Sequence, residues 1–127
     1  MRLEPLPRAE ITLAPPQELG DTPQGRRRVI PISGGSFRGA RLSGRVLPGG
    51  ADWQVIRADG VGYRHGPADV IGRLTAGEPV DASLYYMRTT PRFETGAERY
   101  LWLNGLICVA SGARHAAAVE LEVFAVQ

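Results

Sequence analysis

The clearest pattern in the chain lies near its end, where AVELEVFAV alternates apolar and acidic positions from residue 118 to residue 126. A period of two predicts a half-exposed strand, with Val119, Leu121 and Val123 on the buried face and Glu120 and Glu122 on the other. Shorter runs read the same way: AEITL at 9–13, RRVIPI at 27–32, ARLSGRVL at 40–47, DWQVIR at 52–57, LYYMRT at 84–89 and LICVA at 106–110. Gly34-Gly35, Pro48-Gly49-Gly50 and Asp59-Gly60 predict turns, since glycine reaches positive φ without a Cβ clash. Sixteen glycines and ten prolines at this spacing point to antiparallel strands joined by turns. One segment departs from the pattern. PADVIGRLTA, residues 67–76, puts Val70, Ile71 and Leu74 on one helical face, with Pro67 at a first helical position and Gly77 just past the end. Gly72 inside it weakens the helix by ~1 kcal/mol. Such a short helix would cover a barrel mouth or pack on the barrel's side. The chain shows no internal repeat and no low-complexity tail.

Length bounds the architecture to a single domain, 1–127, large enough to bury a core without disulfides or a structural metal. The hydrophobic share is 43%, and no apolar run approaches the ~18 residues of a membrane span. The start MRLEPLPRAE has no apolar stretch followed by a small-residue cleavage site, so the cytoplasm is the expected location. Cys108, alone in LICVA, reads as a buried inert thiol rather than a nucleophile. All fifteen basic residues are arginines, for a net charge of +2. They are scattered, and the one run, Arg26 to Arg28, reads as a solvated strand end, so a nucleic-acid surface is not expected. The absence of lysine excludes a lysine Schiff base and a Walker-type phosphate lysine.

Candidate chemistry concentrates in LYYMRTTPRFETGAERYLWLN, residues 84–104, which mixes aromatic walls with a few polar groups as small-molecule pockets do. In a regular strand Tyr86 and Arg88 share a face, and Arg88 could clamp a carboxylate or an enolate oxygen. Its alternative role is an internal ion pair with Glu94 or Asp52. Glu94 held among Phe93, Tyr86 and Trp102 would have its pKa raised by desolvation into general-base range; against Arg88 it would stay ionised and structural. Trp102 and Asn104 fall on one face if extended, giving an indole wall and an orienting amide; otherwise they are a core tryptophan and a turn residue before Gly105. Asp52 and Trp53 open a strand after a turn and point to opposite faces. Asp52 is either a buried acid or a turn-closing acceptor, and Trp53 a cavity wall or ordinary core. His65 and His115 lack a second ligand at metal spacing. GGSFRG does not lie between strand and helix, and no Gly-x-Ser-x-Gly elbow is present, so neither metal nor cofactor is expected.

With these residues in place the chain resembles the bacterial DUF3237 (UPF0311) family, through GRRRVIPISGGSFRGARLSGRVLPGGADW, RHGP, GEPVD, YYMRTTPRFETG, WLN and VELEVFAV, in that order over nearly the whole chain. The resemblance implies a small antiparallel β-barrel of the lipocalin or calycin kind, with a central cavity and no established general function. Family members place a further strand pair between the DG turn and RHGP, whereas here Asp59-Gly60-Val61 meets Gly62-Tyr63-Arg64-His65 directly. Two strands and a turn amount to roughly twenty residues, and their loss leaves a barrel with two unpaired edges. Either a partner chain fills the gap, or the natural chain carries an additional hairpin between Val61 and Tyr63, the reading favoured here. The expected protein is thus an all-β antiparallel barrel with one short helix that binds a small molecule. It is read as a cofactor-independent lyase or isomerase of a small oxygenated or aromatic compound, with Arg88 and Asn104 holding an oxyanion and Glu94 or Asp52 moving a proton. The alternatives are a non-catalytic carrier or sensor, and a structural barrel filled by its own side chains. A small-molecule ligand is the expected partner, a homo-oligomer is possible, and neither nucleic acid nor membrane is expected.

Overall fold

A computed structural model describes residues 1–48 and 56–127. Nine strands follow one another as β1 (Leu3–Leu13), β2 (Gln17–Thr22), β3 (Gly25–Val29), β4 (Ile32–Arg38), β5 (Ser43–Arg45), β6 (Arg57–His65), β7 (Tyr86–Glu94), β8 (Cys108–Arg114) and β9 (Ala118–Val126). One α-helix, α1 (Ala68–Thr75), and two 3-10 segments, Ala82–Leu84 and Glu98–Gly105, are the other elements among the described residues. Seven strands form one antiparallel sheet in the order β5-β4-β1-β9-β8-β7-β6, and β2-β3 stands apart as a hairpin. The fold is all-β, as expected. The sheet is not closed among the described residues, because β5 and β6 are its two edges.

The alternation in AVELEVFAV produces the predicted strand with its predicted faces. Val123 and Ala125 are buried while Glu122 is exposed and pairs with Arg8 at 3.2 Å. β9 lies between β1 and β8, at the middle of the sheet. β1 starts six residues before the predicted 9–13, and its pairing with β9 shifts between Pro5 and Arg8. Proline lacks an amide donor, so Pro5 and Pro7 cannot continue a regular ladder, and the irregularity falls where they sit. Gly35 on β4 has φ +136, and a Cβ there would run into the Glu10 carbonyl oxygen, so the close approach of β4 to β1 requires glycine.

Other boundaries move for identifiable reasons. The run 27–32 is two strands, β3 and β4, broken at Pro31. Of 40–47 only Ser43–Arg45 pairs, and of 52–57 only Ile56 and Arg57 lie among the described residues. The Asp59-Gly60 turn does not form. Residues 57 to 65 instead make one continuous strand paired with β7 along its whole length, from Arg57 opposite Glu94 to His65 opposite Tyr86. Gly62 allows this passage, since any Cβ would meet the Arg88 carbonyl.

The predicted helix appears as α1, with Pro67 one position earlier than expected, as its N-cap, and Gly77 past the end at φ +78. Val70 and Leu74 are buried against Tyr85, with Met87 packed alongside, so α1 covers one end of the curved sheet. A second cluster, Leu42, Ile56 and Leu103, joins the 3-10 segment Glu98–Gly105 to the β5 side. The third consists of Leu6, Cys108, Ala110, Val123 and Ala125 along the sheet's middle.

Candidate functional site

The inward faces of the strands do not fill the space they enclose. A cavity of about 290 Å³ lies inside the curve of the sheet. Period-two alternation selects its walls. Ala9 and Ile11 come from β1, Phe37 from β4, Leu121 and Val123 from β9, Thr89, Pro91 and Phe93 from β7, and Ala58 and Gly60 from β6. Residues on both edge strands border the same space, so the sheet curls most of the way round it. The walls are almost wholly apolar. Thr89 supplies an inward hydroxyl, close enough to Gly60 that a Cβ there would stand 3.0 Å from it. Exposed Arg45 and Asp59 stand at the rim, and the Asp59 carboxylate is held by Arg57 at 3.1 Å.

The same alternation scatters the residues that sequence reasoning grouped together. Tyr86, Arg88 and Glu94 are exposed on the outer face of β7, while Phe93 points the other way into the cavity. Arg88 borders an outer depression of about 450 Å³ with Val61, Tyr63 and Tyr86. Its Nη1 donates to the Met87 carbonyl at 2.8 Å and its guanidinium lies 5.2 Å from the Tyr86 ring centroid. Tyr86 stacks on His65 with centroids 4.8 Å apart. Arg88 and Glu94 are six positions apart along the strand, about 20 Å at the usual rise. The expected single pocket of Arg88 and Glu94 walled by Tyr86, Phe93 and Trp102 does not form: Tyr86 stays beside Arg88, but Phe93 faces the opposite side and Glu94, on the same face, lies too far along the strand.

Trp102 and Asn104 also depart from expectation, because Glu98–Gly105 is a 3-10 helix rather than a strand. With three residues per turn, positions two apart no longer share a face. Asn104 clamps a backbone instead: its Oδ1 accepts from the Thr95 amide at 2.8 Å and its Nδ2 donates to the Thr95 carbonyl at 2.9 Å. Both ends of the amide are used. Trp102 is half-buried against the core, donates from Nε1 to the Arg99 carbonyl at 3.0 Å, and carries the Arg41 guanidinium 3.6 Å from its ring centroid. Asp52 and Trp53 lie outside the described residues.

Two inward-facing residues were missed. Arg64 on β6 alternates with Gly60 and Gly62, and Arg114 on β8 with Ala110 and Gly112, so both project to the concave side and both are half-buried. The signal was present as parity, but single arginines among glycines and alanines show no local pattern. The Arg114 amide donates to the Tyr85 hydroxyl at 2.8 Å, and its Nη1 to the Ala118 carbonyl at 3.2 Å. Burial, and then repulsion from Arg64 and Arg28, hold the Arg114 guanidinium below its ordinary pKa. Cys108, 2% exposed, has its thiol pushed up by burial, which keeps it in the unreactive form. Among the described residues no group of three or more His, Cys, Asp or Glu side chains could hold a metal ion. No helix among them is long and apolar enough to cross a membrane.

Comparison with known proteins fits this architecture. The family model described as a protein of unknown function, DUF3237, matches residues 1–62 and 61–126, two segments that meet where β6 runs straight through. The UPF0311 protein blr7842 of Bradyrhizobium diazoefficiens is 47% identical over 126 residues, with 82% of each chain covered. The crystal structure of a conserved protein of unknown function, RPA1785 from Rhodopseudomonas palustris, superposes with a TM-score of 0.88 at 34% identity, covering 100% of this chain and 99% of that one. A β-barrel-like protein from Acinetobacter baumannii gives 0.81 at 37% identity, covering 99% and 96%. An enzyme from Penicillium herquei shares the fold at a TM-score of 0.60 and 18% identity, covering 99% and 94%. On family match, identity and architecture together, this chain belongs to the DUF3237 (UPF0311) family.

Proposed function

We propose that this protein is a small-molecule carrier or sensor whose ligand occupies the cavity inside the curved sheet, which serves as an open lipocalin-like cup. The observation that carries the reading is the cavity itself: about 290 Å³ of apolar space that the inward side chains leave unfilled. A barrel kept only for structure gains by filling such a space, because unfilled volume forfeits dispersion contacts on every wall. Ligand sites are apolar enclosures with few polar groups, and Thr89, Arg45 and Asp59 are few.

The lyase or isomerase reading has less support. Glu94 and Arg88 lie on the outer face, Asn104 is engaged by Thr95, and Asp59 is matched by Arg57. Binding does not require a proton-moving carboxylate, so the cavity suits a carrier as it stands. Soluble transport or sensing in the cytoplasm is the setting that goes with this reading.

The test is titration with N-phenyl-1-naphthylamine, a neutral probe that fluoresces in apolar sites. Wild-type protein should bind it saturably at one site. Ala9→Phe, which pushes a ring into the cavity from β1, should keep a cooperative unfolding transition and weaken probe binding at least tenfold. Binding unchanged in Ala9→Phe, or none in the wild type, would overturn the proposal.

A further inference from the structure

The apolar walls leave open what kind of molecule the cavity takes, and the inward arginines narrow it. Arg64 lies opposite Met87 on β7, two residues from the cavity-lining Thr89. Arg114 lies opposite Val119, two residues from Leu121 in the β8-β9 ladder, and Val119 in turn lies opposite Ile11. Leu121 and Ile11 both border the cavity. Each arginine thus sits one inward step beyond the apolar walls, at the end of the sheet covered by α1. The strands that carry them flank β7 on either side. Two strand spacings and one inward step place their Cα atoms about 12 Å apart, a span that two long side chains can close around one anionic group.

Among the described residues their charge has no carboxylate counterpart. Neither Arg64 nor Arg114 takes part in an ion pair among the described residues, although Arg8, Arg57 and Arg73 all do. Burial first, and then repulsion from Arg64 and from Arg28 on the β2-β3 hairpin, lowers the pKa of Arg114. Half-buried guanidiniums that repel one another are unfavourable unless an anion joins them.

We propose that Arg64 and Arg114 form an anion subsite at the α1 end of the cavity, so that the ligand is an amphipathic carboxylate with its apolar body against the walls and its head between the two guanidiniums. The inference rests on the carrier reading and gives it a ligand class.

Octanoate and 1-octanol share an apolar body and differ in the head group, so calorimetric titration with both separates the two ideas. Wild-type protein should bind octanoate at least tenfold more tightly than octanol. Arg64→Gln and Arg114→Gln should each weaken octanoate at least tenfold and leave octanol within about threefold, a tenfold change being about 1.4 kcal/mol. If Arg114→Gln does not fold, Arg64→Gln carries the test alone. Arg88→Gln, on the outer face, removes the same charge and should leave both affinities unchanged. Equal binding of octanoate and octanol would overturn the anion subsite while leaving the cavity reading intact. An Arg88→Gln loss as large as that of Arg64→Gln would also overturn it, by showing only long-range attraction. Binding of neither compound would overturn the subsite and the carrier reading together.

Discussion

Leu103 is 1% exposed and lies where the 3-10 segment Glu98–Gly105 meets the sheet, packed with Leu42 and Ile56 and flanked by Phe37, Phe93 and Trp102. Leu103→Ala removes three carbon groups, worth about 2.4 kcal/mol of burial at ~0.8 kcal/mol each. The vacancy adds a second cost. At about 24 cal/mol per Å³, a residual space of ~60 Å³ contributes about 1.4 kcal/mol. Collapse cannot recover much of it, because Phe37 and Phe93 already border the main cavity and would enlarge that space by moving. The expected loss is therefore about 4 kcal/mol, a large part of the ~5–15 kcal/mol that holds a domain folded. Urea unfolding followed by tryptophan fluorescence measures it, and with a slope near 2 kcal/mol per molar the midpoint should fall by about 2 M. Leu101, two residues away and 49% exposed, is the internal control, and Leu101→Ala should cost under ~0.5 kcal/mol. A Leu103→Ala loss below about 1 kcal/mol, or equal to that of Leu101→Ala, would refute the packing described for this segment.

Asn104→Ala strands the Thr95 amide and carbonyl and should lower stability by ~1–3 kcal/mol, with Asn104→Asp intermediate because it keeps the acceptor; chemical denaturation ranks the three proteins. Gly35→Ala meets the Glu10 carbonyl at a positive φ and should cost at least ~3 kcal/mol, whereas Gly72→Ala in α1 points into open space and should gain ~0.5–1 kcal/mol; thermal midpoints moving together would contradict this. The Cys108 thiol is raised above its ordinary 9.0 by burial, so its contribution to stability is complete below pH ~9 and lost as pH rises past that value toward the folded-state pKa. Cys108→Ala should flatten that alkaline loss in denaturation curves taken between pH 8 and pH 11, and a wild-type thiol that reacts with a disulfide reagent at pH 8 as fast as free cysteine would contradict its burial.

What the sequence displays and what it hides divide along a physical line. β9 and α1 are legible because each buries one face and exposes the other, so period and punctuation appear in the residues themselves. β6 is hidden: RADGVGYRH has no apolar stripe, and its strand exists by pairing with β7, a partner far along the chain. In ERYLWLNG, the alternation of aromatic residues with leucines imitates a strand, while the segment is a 3-10 helix that brings Tyr100, Trp102 and Leu103 together on one core cluster. The aromatic-rich segment 84–104 drew attention by density of residue types, but a binding site needs convergence of direction. Phe93 and Arg88 are close in sequence and lie on opposite faces. Arg64 and Arg114 converge from positions fifty residues apart, which no local window contains.

The pairing of β1 with β9 gives the molecule a seam. Leu3 lies opposite Val126, and the Arg2 and Gln127 backbones exchange hydrogen bonds of 3.3 and 2.8 Å. Without this junction the large sheet falls into a three-stranded part, β5-β4-β1, and a four-stranded part, β9-β8-β7-β6. β9 follows the other eight strands described, so β1 can pair early with β4 but waits about a hundred residues of synthesis for its second neighbour. Leu6, which packs with Cys108, Ala110, Val123 and Ala125, stays uncovered until then, and closing so long a loop belongs to the slow end of two-state folding, milliseconds to seconds. Completion of the sheet consequently hangs on β9: a nascent chain released before Ala118 carries a complete helix, a complete hairpin and no strand to join β1 to β8.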